Sequence, residues 1–135
     1  MRIGKSILSI TAVAGGAIAM HRLVGFGDAQ ISVAGARVKG VAASSVSAGV
    51  AVALTAKGTA MVVAGAPIAA GDAVTSDNQG RAVPAAPLAL ADGATPVTSS
   101  SAAGPLTGGL PPQHVFGDAL ETAAAAGDVI EILLR

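Results

Sequence analysis

The sequence predicts an all-β fold: a small, compact β-barrel or β-sandwich with one long Pro/Gly/Ala-rich loop and at most one short helix. Three observations predict it. First, a small-residue turn that launches a β-branched run is written three times. The copies are Ala48-Gly49-Val50-Ala51-Val52, Ala70-Gly71-Asp72-Ala73-Val74 and Ala126-Gly127-Asp128-Val129-Ile130. Glycine accepts the positive φ of a tight turn, Asp hydrogen-bonds nearby backbone, and Val and Ile favour a pleated surface. Second, short Val- and Ile-rich segments recur along the chain, bounded by Gly, Pro, Asn or Asp. Third, 52% of residues are hydrophobic while Phe26 and Phe116 are the only aromatics, so the core must be aliphatic.

The elements follow in order. Residues 5–13 alternate, with Ile7, Ser9, Thr11 and Val13 on one side and Leu8, Ile10, Ala12 and Ala14 on the other. Gly15-Gly16 offers a two-residue hairpin turn, and residues 17–26 are expected to return as its second strand, closed by Gly27-Asp28. Residues 30–33 and 36–41 flank Gly35 as further strands, followed by residues 50–54, 60–63, 73–75 and 81–83. Between the last two, Ser76-Asp77-Asn78-Gln79-Gly80 is a turn, since Asn78 and Gly80 accept left-handed backbone. Residues 115–120 and 129–134 complete the set, which builds the C-terminal segment into the sheet. Residues 121–126 read either as a short helix, from the capping-box spacing of Asp118 and Glu121, or as a hairpin connection.

Six of the seven prolines fall between residues 84 and 112, among serines, glycines and alanines. Proline cannot donate to a sheet ladder, so this stretch is an extended loop inserted before the last strands. A flexible insertion is preferred to an arm laid on a neighbouring subunit. The chain is otherwise a single β domain spanning residues 1–135. An aliphatic core in so small a domain is marginal alone, which favours self-association.

Composition excludes several classes. Eight basic and eight acidic residues give net charge +0, without a basic run or stacking aromatics for nucleic acid. The absence of cysteine removes disulfides, thiolate chemistry and cysteine-type zinc. Mean hydropathy is +0.68, yet residues 7–20 and 60–70 are too short for a membrane span and contain Gly15-Gly16, Gly65 and Pro67. Arg2 and Lys5 ahead of an apolar stretch have the look of a signal peptide, but Ser9, Thr11 and the glycine pair favour a strand.

No chemistry assembles. His21 and His114 are far apart in sequence and form no metal pair. Asp77-Asn78-Gln79-Gly80 lacks the spacing and late carboxylate of a calcium loop. No serine sits in a nucleophile elbow, and no phosphate-binding fingerprint is present. The aspartates after Gly27, Gly71, Gly117 and Gly127 are explained as turn formers, with Gly71, Asp72, Asn78, Gly80, Gly127 and Asp128 as the leading turn residues. No catalytic, cofactor or metal residue is expected.

Several phrases in fixed order carry a resemblance. Gly40-Val41-Ala42 and Ala48-Gly49-Val50-Ala51-Val52 precede Lys57-Gly58-Thr59-Ala60. Ala69-Ala70-Gly71-Asp72-Ala73-Val74-Thr75 and Asp77-Asn78-Gln79-Gly80-Arg81-Ala82-Val83 follow. Phe116-Gly117-Asp118-Ala119-Leu120-Glu121 and the segment from Ala125 to Leu134 close the set. Ala14-Gly15-Gly16-Ala17-Ile18 and Arg22-Leu23-Val24-Gly25-Phe26 also fit. Outside residues 84–112, the chain resembles the tailed-phage capsid cement, or head-decoration, proteins. That resemblance implies a non-enzymatic virion protein, commonly trimeric, on the outer surface of the capsid, made and assembled in the host cytoplasm. Its partners would be the major capsid protein and further copies of itself, with no nucleic acid and no membrane. The contact residues expected are Arg2, Lys5, Pro84, Pro87, Pro111 and Pro112. The rival readings are an exported surface-fibre or adhesin subunit and a small-ligand or hydrolytic barrel using His21 or His114 with an Asp.

Overall fold

The structure is a computed structural model that describes residues 4–86 and 113–135. Arg2, Pro87, Pro111 and Pro112 lie outside the described residues, as does most of the proline-rich segment. Eight strands form one sheet: β1 (Ser6–Val13), β2 (Leu23–Val24), β3 (Gly40–Ala42), β4 (Ala51–Val63), β5 (Ala73–Ser76), β6 (Ala82–Pro84), β7 (Gly117–Ala119) and β8 (Val129–Leu134). Their order is β2-β3-β4-β8-β7-β5-β6, with β1 added to β4. Backbone bonds from Leu23 N to Gly80 O (2.8 Å) and from Gly35 N to Ser76 O (2.8 Å) bring the two ends of the order together. The sheet is thereby nearly closed into a barrel. The all-β expectation holds.

The strand partners differ from the local reading. Residues 17–26 do not return against β1, which pairs along its length with β4, from Ser6 opposite Gly58 to Val13 opposite Ala51. At Gly15 the chain turns aside: Ala14 N donates to Val50 O and Gly15 N to Asp28 O. Only Leu23 and Val24 of the expected return strand are in a ladder, against β3. Residues 36–39 stay outside strand, and Gln30 makes one isolated bridge to Val24. The two strands expected at 50–54 and 60–63 are a single strand. Gly58 does not end it but sits inside it at φ +102, opposite a register shift in β1. A Cβ there would stand 2.3 Å from Lys5 O, so only glycine lets the two strands approach.

No helix occurs among the described residues, and none is therefore long and apolar enough to cross a membrane. Residues 121–126 form the connection of the β7–β8 hairpin. Pro84 is the last residue of β6, terminal in the strand order, where a missing donor is tolerated.

The repeated turn is the unit of construction, and the structure contains four copies rather than three. Ile18, Val46, Ile68 and Ala123 each begin one, followed by a turn whose residue at positive φ is His21 (64°), Gly49 (82°), Gly71 (93°) or Gly127 (97°). The copies pair reciprocally, Ile18 with Val46 and Ile68 with Ala123. Each positive-φ residue donates its N–H to a buried alanine carbonyl that leads into the partner copy. The bonds are His21 to Ala42, Gly49 to Ala14, Gly71 to Ala119 and Gly127 to Ala64, all between 2.7 and 3.0 Å. The fold is thus two similar units sharing β4. The core divides the same way: Val52 and Leu54 pack with Ile18 and Val24, while Ala60 and Val62 pack with Ile68, Val74, Ile130 and Ile132.

Candidate functional site

The aspartates of the turns are engaged in structure. Asp72 Oδ2 accepts Ala69 N at 3.0 Å, and Asp128 Oδ2 accepts Ala124 N and Ala125 N at 2.9 and 3.1 Å. Asp77 Oδ1 accepts Gln79 N and Arg81 N, while its Oδ2 holds Arg81 Nε at 2.7 Å. That carboxylate therefore organises the β5–β6 turn, with Gly80 at φ +70 completing it. Among the described residues no group of three or more His, Asp or Glu could hold a metal ion.

The two histidines are not brought together. His21 occupies the glycine position of a turn and borders a cavity with Ser6, Thr55 and Met61. His114 borders a different cleft, its backbone fixed by bonds from its N–H to Gly35 O (3.1 Å) and from Thr75 Oγ1 to its carbonyl (2.8 Å). Of the expected contact residues, Lys5 is exposed just before β1, its backbone N–H bound by Thr59 Oγ1 at 2.8 Å. Pro84 is half-buried opposite Val74. The described contacts place Lys5 ahead of β1 and Pro84 at the end of β6 and do not join them.

The structure instead assembles a cleft of about 220 Å³ whose lining includes Phe26, Arg37, Lys39, His114, Phe116 and Arg135. Both aromatic residues of the chain are there. Phe26 is 63% exposed, held by the turn that joins β2 to Gln30, and the Arg37 guanidinium lies 5.2 Å from its ring centroid. A guanidinium over a ring is held by cation–π attraction and keeps its N–H donors available. Among the described residues no hydrogen bond or ion pair occupies them. Lys39 is paired with Asp28. Arg135 grips Asp118 through Nε (3.1 Å) and Nη2 (2.9 Å), leaving Nη1 unused among the described residues. Hydrogen bonding to Arg135 holds the Asp118 carboxyl below the usual carboxylate range and raises the Arg135 guanidinium in turn. Among the described residues, none that lines the cleft is acidic.

Sequence reasoning missed this cleft because its residues come from five separate segments that only the closed sheet joins. One signal was legible: a chain with two aromatics has one of them, Phe26, at the end of an expected strand beside Gly27-Asp28.

The profile of the phage cement proteins matches residues 1–134. The chain belongs to that family. Membership supports a capsid-associated structural role and a phage origin, in keeping with the resemblance read from the ordered turns. The fold of this cement-family chain is similar to the crystal structure of the head fibre gp8.5 N base in bacteriophage phi29. The TM-score is 0.62 at 24% identity, over 95% of this chain and 93% of that one. No curated protein matches the chain.

Proposed function

We propose that the protein binds the outer surface of an assembled phage capsid and stabilises the shell, acting as a homotrimer. The observation that carries this reading is the cement-family match across residues 1–134. The engagement of the turn aspartates in structure and the separation of the histidines favour a structural role over catalysis. Self-association has its own support. Among the described residues strand β1 pairs on one side only, and it exposes Ile7 (85%) and Val13 (60%). An open edge is a template for a second chain. The partner on the virion would be the major capsid protein.

The mechanism is mass action. A clamp that binds only the assembled lattice lowers the free energy of that state, by about 2.7 kcal/mol per site at a hundredfold excess over Kd. The test mixes purified protein with undecorated, expanded capsids of the cognate phage, which should become decorated and more resistant to heat. Capsids left bare would overturn the reading; decoration without added resistance would remove its stabilising half.

A further inference from the structure

We infer that the cleft between Phe26, Arg37 and Phe116 takes a carboxylate side chain of a partner protein. The chemistry of the lining selects that occupant. Arg37 offers donors that no described residue occupies, and a guanidinium is matched to the two oxygens of a carboxylate. Lys39 and Arg135 add donors beyond those spent on Asp28 and Asp118. Val38, Val115 and Leu134 also contribute to the lining.

Size narrows the choice further. The cleft, about 220 Å³, is smaller than the roughly 300–1,000 Å³ of small-molecule sites. It suits one or two inserted side chains. A phosphate chain is a poorer match, because Lys39 and Arg135 are already paired with Asp28 and Asp118, and the protein carries no net charge. A single acidic side chain matches the one lining Arg or Lys, Arg37, that has no ion pair among the described residues. That the partner is the capsid protein rests on the reading proposed above.

The cleft is tested with the full chain, ¹⁵N-labelled, titrated by NMR with an acetylated and amidated peptide of alternating Leu and Glu residues. Saturable shifts are expected at the amides of Arg37, Lys39, His114 and Phe116. Affinity should fall at least tenfold for the Leu/Gln peptide and for the exposed-site variant Arg37→Glu, and should weaken as salt rises. The inference is overturned if the peptide does not bind, if the Gln peptide binds equally, or if the shifts centre elsewhere. It is also overturned if inorganic phosphate at the same concentration saturates the same amides. A parallel capsid-binding assay separates the two claims. Wild-type protein that leaves capsids bare sinks the capsid reading, whereas wild type and Arg37→Glu decorating equally sinks this inference alone.

Discussion

Thr59 Oγ1 donates a hydrogen bond to Glu131 Oε1 at 2.8 Å and accepts the Lys5 backbone N–H, also at 2.8 Å. One hydroxyl therefore links the start of β1, the middle of β4 and the centre of β8. Glu131 is only 7% exposed, so its carboxylate depends on such donors. Thr59→Val keeps the shape but removes both bonds. Urea unfolding should show a loss of about 1–3 kcal/mol, the cost of leaving buried polar groups unpaired. Thr59→Ser should retain most of the stability. Equal midpoints for the two variants would show that the linkage does not hold the strands together.

Two glycines separate backbone conformation from close approach. Gly49 and Gly58 both have positive φ, but a Cβ on Gly49 meets nothing within 4 Å, whereas one on Gly58 meets Lys5 O at 2.3 Å and Ile7 N at 2.8 Å. Gly49→Ala should cost about 1–2 kcal/mol for the left-handed backbone. Gly58→Ala should cost clearly more, because β1 must also move off β4. Hydrogen exchange would locate that difference in the amides of β1. Indistinguishable losses and exchange patterns in the two variants would contradict the structure at Gly58.

The same glycine marks the limit of what local sequence conveys. The strand β1 was legible from its alternation, although of the row Leu8, Ile10, Ala12 and Ala14 only the last two are buried. The β5–β6 turn was legible because its residues bond within themselves. Strand partners were not. Gly15-Gly16 has hairpin chemistry, but β1 gains a far longer ladder on β4, a choice settled by tertiary pairing rather than by the turn. Gly58 looked like a boundary, since glycine at a boundary and glycine at a bulge have the same local signature. The cleft was hidden for a related reason: Phe26, Arg37, His114 and Arg135 meet only when the ends of the sheet close.

The fourth turn was hidden by a histidine. His21 adopts φ 64 at the position held by Gly49, Gly71 and Gly127, and its N–H makes the equivalent bond to Ala42 O. A β-branched side chain tolerates that conformation poorly. His21→Val should therefore lose about 1–2 kcal/mol. His21→Gly should stay within about 1 kcal/mol of wild type, relief of the backbone being offset by a freer unfolded chain. Thermal unfolding of the three proteins tests this order, and a Val variant as stable as the Gly variant would remove the turn assignment.

Acid should weaken the Asp118–Arg135 pair before base does. The folded-state Asp118 carboxyl lies below its ordinary value because Arg135 hydrogen-bonds its charged form. The stability it contributes is complete above the unfolded value of about 3.9 and is lost as pH falls through the lowered folded value. Arg135 is shifted upward, so its contribution is lost only at alkaline pH beyond the guanidinium range. Asp118→Asn should therefore flatten the acid limb of the stability–pH profile and leave the profile between pH 6 and 9 parallel to wild type. The pair is solvent-exposed, so the effect is small and salt-sensitive. Unchanged acid limbs in low salt would show that the pair contributes nothing.

The open edge of β1 gives the test of self-association. Ile7 and Val13 are exposed on a strand that, among the described residues, pairs on one side only. Neither contributes to the buried core, so Ile7→Lys with Val13→Lys should change stability of the isolated chain by no more than about 0.5 kcal/mol per site. Charge on an open edge opposes pairing with another chain. Sedimentation should therefore show wild-type protein associating with rising concentration and the double variant remaining monomeric, with unchanged β content by circular dichroism. If the variant assembles as well as wild type, the interface between copies lies elsewhere and the edge of β1 is free for another partner. If wild type itself stays monomeric at high concentration, the trimer fails while capsid binding by single chains remains to be judged on the decoration assay alone.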